Sequence, residues 1–89
     1  LEDSNPEKSI SVYYDILNSY PVFLKTNKIN FVTLKHIIAQ QLVKLKRYDE
    51  ALEICNEILN LKGFTDFEYG KLEDRIERVK DLKKSLDSK

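Results

Sequence analysis

The stretch RYDEALEICNEILNL, residues 47–61, decides the fold of this chain. Its apolar side chains recur at the spacing of an α-helix, and they leave a narrow polar stripe of Glu50, Glu53, Glu57 and Asn60. A helix that is apolar around most of its circumference must be covered on two sides. The stretch therefore predicts one helix packed against it from the preceding sequence and another from the following sequence.

The composition is that of a small helical domain. Of the 89 residues, 42% are hydrophobic and 34% are charged, the formal net charge is zero, and two glycines and two prolines occur. So few turn-forming residues favour long helices over a sheet built on tight turns. Zero net charge argues against a nucleic-acid-binding surface, and no apolar run approaches the roughly 20 residues that span a bilayer. We expect one intracellular, cytoplasmic domain over 1–89, cut from a longer chain because it begins with Leu1.

Start and stop signals divide the chain into four predicted helices. Asn5 and Pro6 are typical of a helix start, and this first helix is expected over 6–21. Segment 22–30 is expected to be a loop, because most of it is polar and turn-rich. Two helices follow within 26–62, and the short turn between them predicts an antiparallel hairpin.

The last predicted helix occupies 65–86. Gly63 supplies a stop for the helix before it, and Thr65 with Glu68 fits a capping box. Apolar residues then recur every three or four positions on an otherwise charged helix. This apolar stripe consists of Leu72, Ile76, Val79 and Leu86. We interpret the stripe as a cap on the helix of residues 47–61, and the alternative leaves it free to dock onto a partner.

The sequence of residues 44–61, read with the helix before it, resembles a tetratricopeptide repeat, a helix–turn–helix unit of about 34 residues. The similarity lies in the Tyr-Asp-Glu-Ala run that ends in Ala51, and in Ala39. Both alanines stand where the family keeps small residues so that its two helices approach closely. The resemblance makes 6–21 half of an earlier repeat and 65–86 the terminal cap of a short, four-helix α-solenoid or bundle.

This resemblance implies a non-catalytic scaffold or adaptor that binds a peptide or a partner helix of another protein. In the family, the first helices of the repeats line a concave groove. By resemblance, the groove residues here are Thr33, His36, Gln40, Val43 and Lys44. They offer a donor-rich, weakly basic strip suited to an extended acidic or polar peptide.

Two other functions are weighed against this one. The first is a structural helical subunit, or an organelle-associated adaptor, that docks through the apolar stripe of the last helix. The second is an RNA-binding helical repeat, for which the sequence offers two basic clusters: Lys44, Lys46 and Arg47, and Lys80, Lys83 and Lys84. Acidic residues adjacent to both clusters cancel their long-range field, so we do not expect binding to nucleic acid.

Few residues that could support catalysis or bind a metal occur in this sequence. Cys55, the single cysteine, falls on the buried side of its predicted helix, where cysteine behaves as a small apolar residue. His36, the single histidine, falls off the line of Leu34, Ile38 and Leu42 and is expected to face outward. These two residues give too few ligands for a metal site, and no glycine-rich loop is available to hold phosphate. We therefore expect no catalytic residue, no metal, no cofactor and no small-molecule substrate.

Overall fold

The structure, a computed structural model, describes residues 5–88, so that 1–4 and 89, the two ends of the predicted domain, lie outside the described range. Residues 5–88 form five α-helices and no strand: α1 (Pro6–Ser19), α2 (Pro21–Thr26), α3 (Lys28–Lys44), α4 (Tyr48–Leu59) and α5 (Asp66–Asp87). The all-α class is confirmed, and the predicted number of four helices is wrong. No helix in this range combines the length and apolar character needed to cross a membrane.

The additional helix, α2, lies where the sequence predicted the loop 22–30. It begins at Pro21, which the sequence analysis treated as the end of the first helix. Proline also suits the first position of a helix, because its missing N–H would have no intrahelical partner there. Pro21 therefore both stops α1, which ends at Ser19, and starts α2. Leu24 is buried where α2 packs against α3.

The first and last helices begin at the predicted capping residues. The side chain of Asn5 accepts a hydrogen bond from the backbone N–H of Lys8 at 3.1 Å. At the start of α5, the backbone N–H of Glu68 donates to Oγ1 of Thr65 at 3.1 Å, and Oε1 of Glu68 accepts from the backbone N–H of Thr65 at 2.8 Å. These reciprocal bonds satisfy donors that a helix start otherwise leaves without partners, so both starts are confirmed.

The turn between α3 and α4 is a Schellman ending. The backbone N–H of Arg47 donates to the carbonyl of Leu42 at 2.9 Å, and that of Lys46 donates to the carbonyl of Val43 at 3.0 Å. Lys46 adopts the left-handed conformation, with φ 61°, which this ending requires. Because the turn has only three residues, α4 returns alongside α3.

An ion pair confirms that α3 and α4 run antiparallel. Nζ of Lys35 lies 3.0 Å from Oε1 of Glu57, and both residues stand about ten positions from the turn. The same ammonium lies 5.8 Å from the ring centre of Tyr14 and 5.5 Å from that of Phe31. From its position on α3, Lys35 therefore contacts both α1 and α4.

The helix with the most neighbours is α3, which packs against each of the other four helices, whereas α4 packs against α3 and α5. The prediction that residues 47–61 are covered from both sides is thus confirmed for α4. The last helix covers more than predicted, because α5 reaches α3 as well as α4. The core consists of Ile10, Val32, Ile38, Ala39, Leu42, Ala51, Ile54, Cys55, Ile58, Leu72, Val79 and Leu86.

Replacing Ala51 by leucine is expected to lower the free energy of unfolding by about 1–3 kcal/mol, because extra methylene groups overfill a packed core. Ala51 is 0% exposed and lies on the buried side of α4. The matched control is Glu53→Ala, two positions away on the exposed side of the same helix. Chemical denaturation compares the two variants, and equal midpoints would show that no second helix approaches α4 closely at Ala51.

Candidate functional site

The structure separates the residues that the family resemblance placed on one recognition strip. Gln40 and Lys44 are exposed on α3, whereas Thr33 and Val43 are half-buried. Oγ1 of Thr33 donates a hydrogen bond to the carbonyl of Ile29 at 2.7 Å, and Val43 packs against the core. Of these four residues of the predicted strip, only Gln40 and Lys44 are therefore exposed.

The fifth member of the strip, His36, lies under α5. It is 2% exposed, and its Nδ1 lies 3.0 Å from Nη1 of Arg75. A guanidinium only donates, so Nδ1 accepts and the ring proton resides on Nε2. Burial lowers the pKa of His36 from 6.5 to about 4, and the charges of Arg75 and Arg78 act in the same direction. The expectation that His36 faces outward is wrong, because α5 returns onto α3 and covers it.

The apolar stripe of α5 is occupied by the chain's own core. Leu72, Val79 and Leu86 are buried, and Ile76 is half-buried against the same cluster. Their neighbours are α3 and α4, the two helices that α5 contacts. This packing is what the capping interpretation expects, and it corrects the alternative of a free stripe, because a partner could reach these side chains only if α5 detached.

The single thiol is also enclosed. Cys55 is buried in α4, and burial raises its pKa, so the reactive thiolate form is scarce at neutral pH. Among residues 5–88, no three side chains of histidine, cysteine, aspartate or glutamate are grouped so that they could hold a metal ion. Cys55 therefore serves the packing of the core.

Acidic side chains lie within both basic clusters seen in the sequence. Nη2 of Arg47 donates to Oε1 of Glu50 at 2.7 Å, and Nζ of Lys80 pairs with Oε1 of Glu77 at 3.5 Å. Exposed pairs of this kind contribute little to stability. They do place a negative charge beside the positive one, which weakens the field that each cluster projects.

An apolar groove of about 410 Å³ lies between α1, α2 and α3, and the sequence analysis missed it. Two aromatic residues in its walls are open to solvent, with Tyr20 59% exposed and Phe23 52% exposed. The groove is lined by Ile16, Tyr20, Phe23, Leu24, Asn30, Thr33 and Leu34. None of these side chains carries a charge, so the groove favours apolar groups.

The groove exists because α2 is short and amphipathic. Leu24 points into the protein and is buried, while Phe23 beside it stays open to solvent. The connection at Tyr20 turns the chain, so that α2 forms a wall against α1 and α3 together. The run Pro-Val-Phe-Leu at 21–24 was the available signal, since proline at a helix start followed by apolar residues is a pattern of helices as well as of loops.

Arg75 and Arg78 of α5 act on the buried His36 of α3. Thr33 lines the groove, and His36, one turn further on the same side of the helix, contacts Arg75. Arg78 also acts on His36, and Lys44 lies about two turns beyond.

The chain segment from position 16 to position 48 is basic, although α1, one wall of the groove, also carries Glu7 and Asp15. Six charged residues occur between positions 16 and 48, and every one of them is lysine or arginine. The acidic residues of the chain lie before and after this segment, with four of them in α4 and seven in α5. The zero net charge of the chain thus conceals a separation of charge, which a count over the whole sequence cannot reveal.

Comparison with protein-family models, with curated proteins and with solved structures finds no significant match to this chain.

Proposed function

We propose that this chain is a non-catalytic protein–protein interaction module of tetratricopeptide-like type, acting as a scaffold or adaptor in an intracellular, cytoplasmic assembly. The α3–α4 hairpin is its central unit, α1 and α2 supply the wall of a binding groove, and α5 caps the core. The tetratricopeptide-like assignment and the location rest on the sequence. The antiparallel packing of α3 and α4 is compatible with the assignment.

The observation that carries the interaction function is the apolar groove with Tyr20 and Phe23 on its rim. Single exposed apolar residues are common on protein surfaces, but here two aromatic side chains converge on one uncharged depression. Its volume of about 410 Å³ falls within the roughly 300–1,000 Å³ typical of binding pockets. Aromatic residues are also enriched in the cores of protein interfaces. The groove therefore suits an apolar side chain from a peptide or a partner helix.

The test is affinity capture with a groove variant and a matched control. The double variant Tyr20→Ser, Phe23→Ser removes both rim aromatics, and Val22→Ser removes a residue of α2 that is 76% exposed and does not line the groove. Each aromatic contributes about 1.5–3 kcal/mol when it is buried. We therefore expect the double variant to lose at least tenfold in capture of the chain's partners, while Val22→Ser retains them.

Circular dichroism and the thermal midpoint establish that both variants are folded, as the exposure of these side chains predicts. Capture of the same proteins in equal amounts by the folded double variant, by Val22→Ser and by the unaltered chain would contradict the groove as the partner site. The exposed aromatic residues Phe67 and Tyr69 at the start of α5 would then be the next surface to test.

A further inference from the structure

The short helix α2, one wall of the groove, is attached to the fold through a single buried side chain. Leu24 is 4% exposed, whereas Val22 and Phe23 beside it are 76% and 52% exposed. The other four helices all contribute residues to the core, and α2 contributes none, since Leu24 itself lies outside that cluster. Of the described helices, α1 and α3 are the ones that pack against α2. This wall is therefore held apart from the packing that stabilises the rest of the chain.

One non-helical residue joins α2 to the helix on each side. The backbone N–H of Tyr20 donates to the carbonyl of Ile16 in α1 at 3.2 Å, and the carbonyl of Tyr20 accepts from Leu24 in α2 at 3.0 Å. Asn27 divides its backbone groups in the same way, because its N–H donates to a carbonyl of α2 at 2.9 Å and its carbonyl accepts from an N–H of α3 at 3.1 Å. Rotation about φ and ψ of these two residues therefore reorients α2 without breaking any of these bonds.

The side chains at the two junctions do not tie α2 to its neighbours either. Tyr20 makes no side-chain hydrogen bond to the start of α2, and Oδ1 of Asn27 accepts from the backbone N–H of Asn30, which belongs to α3. Within α2, Oγ1 of Thr26 donates to the carbonyl of Phe23 at 3.0 Å. The hydrogen bonds thus hold the six residues together as one body and leave its orientation to the burial of its apolar side chains.

Space is available beside α2 on more than one side. The groove of about 410 Å³ is one depression next to it, and a second depression of about 250 Å³ is lined by other residues of α1 and α3, among them Tyr14 and Phe31. Leu24 lines both depressions. A helix between two depressions can turn without displacing the packed side chains of the core.

We propose that α2 is a hinged flap that turns about Tyr20 and Asn27 independently of the core and so opens and closes the groove. The structure shows the flap open, with Phe23 directed partly into solvent. In the closed position α2 moves towards Ile16 of α1 and Thr33 of α3, which line the groove with it, and Phe23 becomes buried there. Burial of this aromatic side chain favours closing, and the present burial of Leu24 favours the open position, so both are populated.

The regulatory consequence of this motion rests on the proposed function. A closed flap fills the groove with the chain's own aromatic side chain, so that a partner competes with Phe23 for the same place. The apparent affinity of the partner is then lowered by the fraction of molecules that are closed. The motion itself does not depend on what the groove binds.

The first experiment is NMR relaxation dispersion of the methyl groups, recorded at several temperatures, because motions of this kind take microseconds to milliseconds. Exchange is expected at Ile16 and Leu34 in the groove and not at Leu42 in the core. Leu24→Ala removes the side chain that holds the flap open, so it should change the ratio of the two populations by about threefold or more. The matched control Val22→Ala alters the exposed side of α2 and should leave that ratio unchanged.

The second experiment compares the urea midpoints of Leu24→Ala and Leu42→Ala. The two leucines are almost equally buried, at 4% and 1% exposed, and truncating a buried leucine normally destabilises a protein strongly. A flap can lose no more stability than its own docking contributes. Leu24→Ala should therefore shift the midpoint by less than about half the shift of Leu42→Ala. If Leu42→Ala does not fold, Leu24→Val and Leu42→Val replace the pair.

Equal midpoint shifts for the two leucine variants would overturn the inference, because α2 would then unfold as part of the core. Groove methyl groups without exchange at every temperature, or equal effects of Leu24→Ala and Val22→Ala on the populations, would overturn it as well. A fixed α2 leaves the proposed function standing, since a rigid groove still binds. Partner capture that ignores Tyr20 and Phe23 would instead end the proposed function and leave the motion of α2 in place.

Discussion

Ending the chain after Lys62 is expected to abolish cooperative unfolding, because this truncation removes α5 and uncovers the core that α3 and α4 build. Leu72, Val79 and Leu86 are buried in that core. Full burial of three such side chains contributes roughly 5–9 kcal/mol, which is comparable to the roughly 5–15 kcal/mol of net stability in a small domain. The truncated chain also exposes the α5-facing side of α4 to water.

Two point variants test the same packing in the chain that retains α5. Val79→Asp places a charge at a position that is buried in the core, and a buried charge without a partner is expected to cost roughly 3–5 kcal/mol. Ser85→Asp introduces the same charge at an exposed position of the same helix and should cost less than about 1 kcal/mol. Urea denaturation followed by circular dichroism measures all three proteins against the unaltered chain.

The capping role of α5 would be contradicted by a truncated chain that stays monomeric and unfolds with an unchanged midpoint. Equal effects of Val79→Asp and Ser85→Asp would contradict it independently. Either result would favour the alternative in which the apolar stripe of α5 is free to dock onto a partner.

Most of the fold could be predicted from local chemistry, because the signals involved act over a few residues. The N-caps at Asn5 and Thr65 are read from side chains that bond to backbone groups three residues away. Gly63, proposed as a stop after α4, adopts the left-handed conformation with φ 82°, which glycine accepts without strain. The two-sided burial of α4 follows from its own pattern of apolar residues.

The groove could not be predicted because it depends on how one ambiguous residue is interpreted. Pro21 ends α1 and begins α2, and both roles are compatible with proline. The choice between them is made by Leu24, which gains burial against α3 only if the segment turns and forms a helix. This gain arises from tertiary packing, which local sequence patterns do not record.

The position of His36 was mispredicted for a related reason. The sequence analysis defined the buried side of α3 by Leu34, Ile38 and Leu42, which is one line along the helix. In the structure α3 is packed on several sides, and Val32 and Ala39, off that line, are fully enclosed. A helix with neighbours on several sides has no single buried face, so the direction of one polar residue depends on which helix returns to cover it.

Lowering the pH from 7.5 to 5 is expected to reduce the free energy of unfolding by about 2 kcal/mol through His36 alone. The pKa of His36 is about 4 in the folded chain, against 6.5 as its ordinary value. Between these two values the unfolded chain binds a proton that the folded chain does not, so acid favours unfolding there. The contribution is complete above pH 6.5 and is lost progressively as the pH falls towards 4.

Two variants test whether this dependence of stability on pH comes from His36. His36→Gln keeps an acceptor for Arg75 but cannot be protonated, and its stability should change by less than about 0.5 kcal/mol over the same range. Gln40→His places an imidazole at an exposed site one turn further along α3, and it should add no dependence because its pKa stays ordinary in both states. The pH is kept at 5 or above so that protonation of Glu50 and Glu68 does not add to the effect. The pKa values of both carboxyl groups are lowered, so these groups titrate in more acidic solution. The ring signals of His36 in an NMR titration should shift with a midpoint near 4, whereas a midpoint near 6.5 would show that α5 does not enclose it.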